Sequence, residues 1–224
     1  METVEEQKQR ILVVDDHSIV RRGFATLINQ QRDMIVCGEA ETAEEALRQI
    51  ENCRPDLAII DLSLKDSISG IDLIREIKRQ FPGVLMLVVS MHDESLYTER
   101  VLRAGAKGYI MKQEVDSEMI RALRCVLNGG VYLSESMNSQ ILSGDGTRRT
   151  RYSESMIEQL SDREFEVFRL LGRGLGTRRI AETLNVGIKT VETFRSRIKE
   201  KLGIEDGNQL VQVAVEWAVR NGIT

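Results

Sequence analysis

The stretch ILVVDDHSIV, residues 11–20, decides how the first half of this chain folds. Four apolar residues lead directly into two carboxylates, Asp15 and Asp16. A strand that is apolar along its whole length is typical of a parallel sheet, because helices cover both of its faces. The stretch therefore predicts a buried strand that ends in a pair of acidic side chains.

Short apolar runs recur along the first half of the chain and alternate with segments of helical periodicity. The strand-like runs are 11–14, 34–37, 57–60, 84–89 and 108–111. The helical segments are 18–30, 42–51, 70–80, 94–103 and 116–127. Five strands that alternate with five helices predict an α/β domain built on a doubly wound, five-stranded parallel sheet. We place this domain at residues 9–128.

The second half of the chain has a different organisation. Residues 129–155 are rich in serine and glycine and are predicted to be a linker. Helical patterns follow at 162–171, 177–184, 188–202 and 208–220, and they predict an all-α, four-helix domain at 156–224. Its first helix has a capping box, with Ser161 as the N-cap and Glu164 three residues later.

Composition and charge agree with two domains that have different partners. The chain has 224 residues, of which 42% are hydrophobic and 29% charged, and its net charge is −4. Residues 1–150 contain 19 basic and 24 acidic residues, whereas 173–201 contain 8 basic and 3 acidic ones. A short basic island behind an acidic domain favours a nucleic-acid partner for the tail.

Several function classes do not fit the sequence. The apolar run VLMLVV at 84–89 is far too short for a membrane span, and the polar N-terminus is unlike a signal peptide. Three cysteines without a CxxC spacing, together with only two histidines, argue against a zinc site. We expect a cytoplasmic protein with reduced thiols and no membrane partner.

Acidic side chains end two of the predicted strands. Asp61 follows the third apolar run, just as Asp15 and Asp16 follow the first. The carboxyl ends of parallel strands meet at one edge of a doubly wound sheet, which is where ligands bind. Three carboxylates repel one another unless a cation offsets their charge, and oxygen ligands suit Mg²⁺. The alternative for Asp16 alone is an ordinary helix N-cap.

Two more strand ends add groups that could bind phosphate at this edge. Ser90 follows VLMLVV, and Lys112 follows GYIM. An ammonium and a hydroxyl beside a metal could hold a phosphoryl group that one of the carboxylates accepts. The sequence thus predicts phosphoryl chemistry at the sheet edge.

Residues 10–127 resemble the receiver domain of two-component response regulators. The matching segments are VVDDH at 13–17, DLSL at 61–64, VVS at 88–90 and AGAKGYIMK at 104–112. The resemblance implies that Asp61 accepts phosphate from the phosphohistidine of a sensor histidine kinase. It also implies roles for the other residues: Mg²⁺ ligation by Asp15, Asp16, Asp61 and the carbonyl of Ser63, phosphoryl pairing by Lys112, and a conformational switch by Ser90 and Tyr109.

One loop departs from the receiver pattern. Lys65 stands where receivers commonly have proline, four residues after the acceptor. Gly70 comes nine residues after Asp61 rather than the usual eight, so one residue is inserted beside the site. The insertion removes no reactive group, and we therefore still expect phosphorylation.

The basic tail has a helix-turn-helix pattern. TRRIAETL and IKTVETFRSRIKEKLG are helical and are joined by the short turn NVG. A helical bundle with a solvated basic face is the simpler interpretation. However, short polar residues at the start of the second helix, followed by basic residues, suit base edges and phosphates of DNA.

Residues 156–220 resemble the LuxR/NarL-type DNA-binding domain. The matching features are LSDREFEV, Ile180-Ala181 and KTVETFRSRIKEKLG. By position, the resemblance implies base reading by Glu192, Thr193 and Ser196. It implies phosphate or nearby contacts for the remaining residues of the set: Lys189, Thr190, Arg195, Arg197 and Lys199. The last helix would be core and would also form a homodimer contact on promoter DNA.

The two resemblances together predict a response regulator that controls transcription. We expect phosphorylation of Asp61 to release a masked DNA-binding domain and to promote dimerisation, with RNA polymerase as a further partner. One alternative is a regulator whose DNA binding is independent of phosphorylation and whose receiver serves only protein interaction. An aspartyl-phosphate phosphohydrolase is disfavoured, because Ser63 stands where such an enzyme needs a second carboxylate.

Overall fold

The computed structural model describes residues 8–64, 69–91, 94–134 and 159–223, together with Met137 and Ile157. The chain divides into two compact units, Met1–Gly144 and Asp145–Thr224. Within the described residues, every helix is too short or too polar to cross a membrane. We describe the two units separately.

Unit 1 alternates strands and helices throughout its described length. The strands are β1 Gln9–Val14, β2 Met34–Ala40, β3 Leu57–Ile60, β4 Leu85–Ser90 and β5 Tyr109–Met111. The helices are α1 Ser18–Asn29, α2 Ala43–Cys53, α3 Gly70–Gln80, α4 Glu94–Ala104 and α5 Val115–Leu127, with a 3₁₀ turn at Lys112–Glu114. All strand pairs are parallel, in the order β2-β1-β3-β4-β5. The predicted doubly wound sheet is confirmed.

Helices cover both faces of this sheet, which explains why its strands are apolar along their length. Residues 11–14 of β1 and all of β3 are fully buried. Alternate residues of β1, β3 and β4 pack with α1 and α5 in one core cluster. Helix α3 contacts both α2 and α4, which places these three helices together on the other face. The carboxyl ends of the strands remain as the open edge.

Strand β2 is longer than its apolar pattern predicted. It extends from Met34 to Ala40, whereas the sequence indicated only 34–37. It pairs on one side only, its residues 36–38 are only half-buried and Glu39 is exposed, so its composition is less apolar than that of the central strands. The register also shifts here, because Ile11 faces Val36 but Leu12 faces Gly38. This bulge leaves Cys37 without a partner residue in β1.

The chain that follows α5 first returns to the sheet. The peptide N–H of Tyr109 donates to the carbonyl of Tyr132 at 3.1 Å, and that of Tyr132 donates to Lys107 at 2.9 Å. Gly108 and Tyr132 thus form a parallel bridge beside β5. Most of the predicted linker, 129–155, lies outside the described residues.

Unit 2 is helical over its described residues. Its helices are α6 Asp162–Gly172, α7 Thr177–Thr183, α8 Ile188–Leu202 and α9 Gly207–Arg220. The predicted capping box of α6 is present: Glu164 N–H donates to Ser161 Oγ, and Ser161 N–H donates to the Glu164 carboxylate at 2.7 Å. Trp217 of α9 packs against Phe165 and Phe168 of α6, with ring centroids 5.4 and 5.5 Å apart. These aromatic contacts join the first and last helices.

Candidate functional site

Three carboxylates meet at the open edge of the sheet in unit 1. Asp15 and Asp16 follow β1, and Asp61 follows β3, which pairs with β1. The N–H of Asp61 donates to the Val14 carbonyl at 2.9 Å, which fixes the two strand ends side by side. Asp15 is 1% exposed, Asp61 2% and Asp16 9%. The structure therefore brings together the acids that the sequence placed at this edge.

Lys112 supplies a positive charge in the middle of this cluster. Its Nζ lies 2.6 Å from Asp15 Oδ2 and 2.7 Å from Asp61 Oδ2. Lys112 begins the turn after β5, so its side chain reaches along the sheet edge past the end of β4. One ammonium offsets the charge of only one of the three carboxylates. The cluster therefore still favours a cation.

The ionisation of Asp61 and Lys112 follows from their burial and contact. Burial raises the pKa of Asp61 above its usual 3.8 and outweighs the charge and hydrogen bond of Lys112, which favour the carboxylate. Burial alone would lower the pKa of Lys112, but the charge of Asp61 and hydrogen bonds to Asp15 and Asp61 outweigh it and raise that pKa. Lys112 is therefore an ammonium at neutral pH, beside a carboxylate whose charge is disfavoured.

The donor set of this cluster fits Mg²⁺. Ligand atoms of Asp15, Asp16, His17 and Asp61 all lie within 4.8 Å of one another. Carboxylate oxygens are hard ligands, and Mg²⁺ is held by one or two carboxylates with water completing its coordination. The backbone N–H of Ser63 donates to Asp61 Oδ1 at 3.2 Å, which orients the Asp61 carboxylate.

Asp16 does not cap helix α1. The N-cap of α1 is His17, which makes no side-chain capping bond, so the interpretation of Asp16 as an N-cap is wrong. His17 was not predicted as a site residue, although it directly follows the two acids. Its Nδ1 lies 2.5 Å from Asp16 Oδ1, and its side chain is 58% exposed. The DDH sequence itself was the signal that could have found it.

Ser90 and Tyr109 lie side by side within the sheet. Ser90 ends β4, Tyr109 begins β5, and both are fully buried. Their side chains are hydrogen-bonded, and burial raises the pKa of the Tyr109 phenol. The Tyr109 ring therefore already occupies the interior in this structure.

The first turn of α4 connects this region to the chain that follows α5. Buried Glu94 accepts from the backbone N–H of Ser134 at 3.1 Å and from the Ser134 hydroxyl. The Ser134 hydroxyl oxygen in turn accepts from the N–H of Met137 at 3.1 Å. Neither Glu94 nor Ser134 was predicted as a site residue, because the two are distant in sequence.

The unusual loop after Asp61 is described only at its ends. Lys65 and residues 66–68 lie outside the described residues. Gly70 packs directly on the acceptor segment, where an added Cβ would lie 2.4 Å from the Asp61 carbonyl oxygen and 2.6 Å from Leu62 Cα. The glycine is thus required by close approach of α3 to the site, despite its shifted position in the sequence.

The residues predicted to contact DNA lie on α8 of unit 2. Val191 and Ile198 are fully buried and attach α8 to the domain. The exposed members of the predicted set are Lys189, Thr190, Glu192, Thr193, Ser196 and Arg197. The hydroxyls of Thr193 and Ser196 donate to carbonyls one turn earlier, which uses their single donor and leaves their oxygens with acceptor capacity only.

Two members of the predicted set are engaged by the protein itself. Half-buried Arg195 donates to Thr177 Oγ1 at 2.7 Å and so joins α8 to the start of α7. Lys199 Nζ donates to the Glu205 carbonyl at 3.4 Å. Arg178 and Arg179 of α7 are exposed basic residues that sequence reasoning did not single out.

Comparison with known proteins gives the same two parts. Residues 11–124 match the family described as response regulator receiver domain, and residues 158–214 match bacterial regulatory proteins, luxR family. The chain belongs to the LuxR/NarL-type two-component response regulators. Its fold and domain types therefore confirm both resemblances seen in the sequence, and the family is one of DNA-binding transcription regulators.

Relatives align along nearly the whole chain. Oxygen regulatory protein NreC of Staphylococcus epidermidis is 36% identical over 211 residues, which cover 92% of this chain and 97% of that protein. The Staphylococcus aureus NreC is 34% identical with the same coverage. RcsB of Salmonella enterica serovar Typhimurium, solved bound to promoter rprA with phosphomimetic BeF3⁻, is 27% identical with a TM-score of 0.61 and covers 93% of this chain and 99% of that one.

A shorter structure matches a smaller share of the chain. A LuxR-family response regulator from Aurantimonas is 31% identical, with a TM-score of 0.58, and covers 62% of this chain and 99% of that one.

Proposed function

We propose that Asp61 is the phosphoacceptor of this response regulator. The observation that carries this proposal is the position of the Asp61 carboxylate, 2.7 Å from the Lys112 ammonium at the sheet edge. In the reaction, an Asp61 oxygen bonds to phosphorus as the bond to the kinase histidine nitrogen breaks. Lys112 then pairs with the transferred phosphoryl oxygens.

Asp15, Asp16 and Asp61, with the Ser63 carbonyl, are the residues that would hold Mg²⁺. When bound, the ion supplies positive charge that offsets charge on the phosphoryl oxygens. The protein's own part is to place Asp61 beside Lys112 and to keep water away from a 2%-exposed carboxylate. The Asp61 carboxylate is oriented by the Ser63 N–H.

Ser90 and Tyr109 are proposed to change conformation when Asp61 carries a phosphoryl group. On phosphorylation the Ser90 hydroxyl, now hydrogen-bonded to Tyr109, turns to a phosphoryl oxygen, and conformations with the Tyr109 ring inside are favoured over those with it outside. Receiver conformations with different arrangements of this pair are then repopulated. This redistribution frees the DNA-binding domain and favours a homodimer.

For DNA, α8 is proposed to enter the major groove. Glu192, Thr193 and Ser196 face base edges there, and Lys189, Thr190 and Arg197 flank them as backbone contacts. Arg195 and Lys199 also lie on α8 and are proposed to support its contact with DNA. Arg195 does so by holding the helix against Thr177. The solved RcsB relative was bound to promoter DNA, which supports this assignment.

The proposed partners are promoter DNA, a sensor histidine kinase, a second copy of this chain and RNA polymerase, all in the cytoplasm. On α9, Leu210 and Ala214 are buried in the core, whereas Val215 and Val219 are 37% and 65% exposed and lie one turn apart. These two valines are the apolar residues that α9 offers to a second copy.

The test compares DNA affinity of the full chain with Mg²⁺, with and without a small-molecule phosphodonor. The duplex is one selected from a random-sequence pool by the phosphodonor-treated chain, and incorporation of phosphate is followed in parallel. We expect the donor to tighten binding about tenfold or more in wild type and to leave Asp61→Asn unchanged. Equal affinity in all samples would instead support a regulator that binds DNA independently of phosphorylation.

A further inference from the structure

Two cysteines of unit 1 lie in contact, away from the acidic site. Cys37 Sγ is 3.1 Å from Cys53 Sγ. Cys37 belongs to β2 and is half-buried, and Cys53 is the last residue of α2 and is 9% exposed. A disulfide needs its sulfurs about 2 Å apart, so a shift of about 1 Å joins them.

The backbone around both thiols is arranged to keep them together. Cys37 is the residue left unpaired by the bulge in β2, and a bulge redirects the side chain it carries. The next residue, Gly38, lets α2 approach closely, because an added Cβ would lie 3.3 Å from Cys53 Sγ and 3.2 Å from both Gln49 Oε1 and Leu12 Cδ1.

The other end of the pair is fixed by the end of α2. Arg54 adopts a left-handed conformation with φ of 42° and ends the helix directly after Cys53. The Arg10 guanidinium donates to the Cys53 carbonyl at 2.8 Å and so fastens this helix end to β1. Neither cysteine can drift far from its partner without breaking these contacts.

We propose that Cys37 and Cys53 form a reversible intramolecular disulfide when the protein reacts with hydrogen peroxide. One thiolate attacks a peroxide oxygen, the O–O bond breaks, and a sulfenic acid forms as one water leaves. The second sulfur then bonds to the first and displaces the hydroxyl as a second water. The two thiols lose two electrons and two protons, which the peroxide takes up.

The environment makes attack by the Cys37 sulfur slow at neutral pH. Burial, together with the hydrogen bond and charge of Cys53, raises the pKa of Cys37 to about 12. A thiol is nucleophilic only as thiolate, so the rate rises roughly tenfold per pH unit below the pKa of the attacking sulfur. Attack by Cys37 is therefore slow at pH 7 and faster at pH 8.5.

The bond would clamp a strand to a helix at one side of the sheet. It links residues 16 apart in sequence and so restricts the unfolded chain of unit 1. The clamped strand ends at Ala40, whose carbonyl accepts from the N–H of Asp15 at 3.1 Å. The proposal does not depend on phosphorylation of Asp61.

The experiment treats the reduced full chain with hydrogen peroxide at pH 7 and pH 8.5, then quenches with acid, alkylates in denaturant and maps the peptides by mass spectrometry. We expect a Cys37–Cys53 linked peptide, loss of two alkylatable thiols and full return after dithiothreitol. The oxidised chain should also melt several degrees higher without reductant.

Matched single variants separate this bond from other oxidation. Cys125→Ser should leave the linked peptide unchanged, because Cys125 lies elsewhere, at the end of α5. Cys37→Ser and Cys53→Ser should each abolish it and remove the thermal shift. Oxidation of Cys37 or Cys53 to sulfinic acid without a linked peptide would overturn the proposal, as would an exclusively intermolecular disulfide. The wild-type peptide map decides the question even if a variant folds poorly.

Discussion

At the residue scale, Asp61 sits in a place that disfavours its own charge. It is almost fully buried, and its pKa is raised above 3.8 even though the Lys112 ammonium is in contact. The folded state therefore holds a proton on Asp61 more tightly than the unfolded chain does. Its contribution to stability falls as pH rises above 3.8, and the charged form at neutral pH opposes folding.

Replacing Asp61 by asparagine should consequently raise the melting temperature in EDTA at pH 7. Asparagine keeps the shape without the charge, and Lys112 keeps its contact with Asp15. We expect a rise of about 2–4 °C by differential scanning calorimetry. This rise in melting temperature should become smaller as pH is lowered towards 4, where the wild-type Asp61 carboxyl gains its proton. A lower melting temperature for Asp61→Asn at pH 7 would contradict this account.

Mg²⁺ should reduce this difference in melting temperature, because it should stabilise wild type more than Asp61→Asn. A cation that binds only the folded cluster stabilises it in proportion to the logarithm of its concentration. The melting temperature of wild type should therefore rise as Mg²⁺ is increased from 0 to 20 mM, and that of Asp61→Asn should rise much less. Equal shifts in both proteins would place the ion elsewhere.

The pKa of Glu164 in unit 2 is shifted in the opposite direction from that of Asp61, below its usual value. Burial acts to raise its pKa, but the Lys201 ammonium at 2.6 Å and the capping bonds of Ser161 outweigh it and hold the pKa below 4.5. The stabilisation is present above that value and is lost as pH falls through the lowered pKa. Glu164→Gln should thus be less stable at pH 7 and lose less stability on acidification to pH 3.5.

The pH dependence of the stability of unit 2 can be measured in the intact chain because its single tryptophan, Trp217, lies in that unit. Urea unfolding followed by Trp217 fluorescence at pH 7, 5 and 3.5 reports that unit alone. Exposed Glu200→Gln on α8 is the control and should follow the wild-type pH dependence. Parallel curves for Glu164→Gln and wild type would be inconsistent with a lowered pKa.

At the scale of elements, the segment after α5 is held at two points. Tyr132 bridges to β5 through its backbone, and Ser134 bonds to Glu94 at the start of α4. Helix α4 follows β4, the strand that ends in Ser90. A movement of α4 relative to β5 would therefore act on both attachments of this segment together.

Removing the charge of Glu94 should loosen one of these attachments. A hydrogen bond to a charged acceptor contributes about 1.5 kcal/mol, which is roughly tenfold in an opening equilibrium. Glu94→Gln should accelerate amide hydrogen exchange of peptides covering 131–134 by about that factor. Exposed Glu99→Gln, on the same helix and paired with Arg103, is the control and should leave exchange unchanged. Equal exchange in both variants would refute the attachment at Glu94.

Helix α8 allows a separate prediction about DNA. Arg197 is exposed on the face that we assign to the major groove, so Arg197→Ala should weaken binding uniformly across duplex sequences. The slope of log affinity against log salt should become shallower by about 0.9 for each phosphate that the variant no longer neutralises. Arg220→Ala, at the exposed end of α9, should keep the wild-type slope. A change in base preference without a change in slope would show that Arg197 reads bases instead.

At the scale of the whole molecule, periodicity predicted the fold because each element is specified locally. The buried run of β1 and the capping box of α6 are consecutive or nearly consecutive residues, and both lie where the sequence placed them. The convergence of Asp15 and Asp61 followed from parallel topology alone.

Contacts between distant residues were beyond such reasoning. The link from Arg195 to Thr177 and the approach of Cys37 to Cys53 depend on helix packing and on a bulge, neither of which has a periodic signal. The same is true of Glu94, whose partner Ser134 is 40 residues away. Sequence alone therefore located the acids and the basic helix but missed the side chains that tie elements together.

The strand order bears on how the protein is made. β3 pairs with β1, β4 with β3 and β5 with β4, so from β3 onward the sheet is extended along one edge in the order of synthesis. Domains generally fold as units from the N-terminal end as a chain leaves the ribosome. Unit 1, with its acidic cluster complete after Lys112, can thus be finished while Ile188–Leu202 has yet to be translated. A nascent chain passes through a stage that has its receiver but no means of holding DNA.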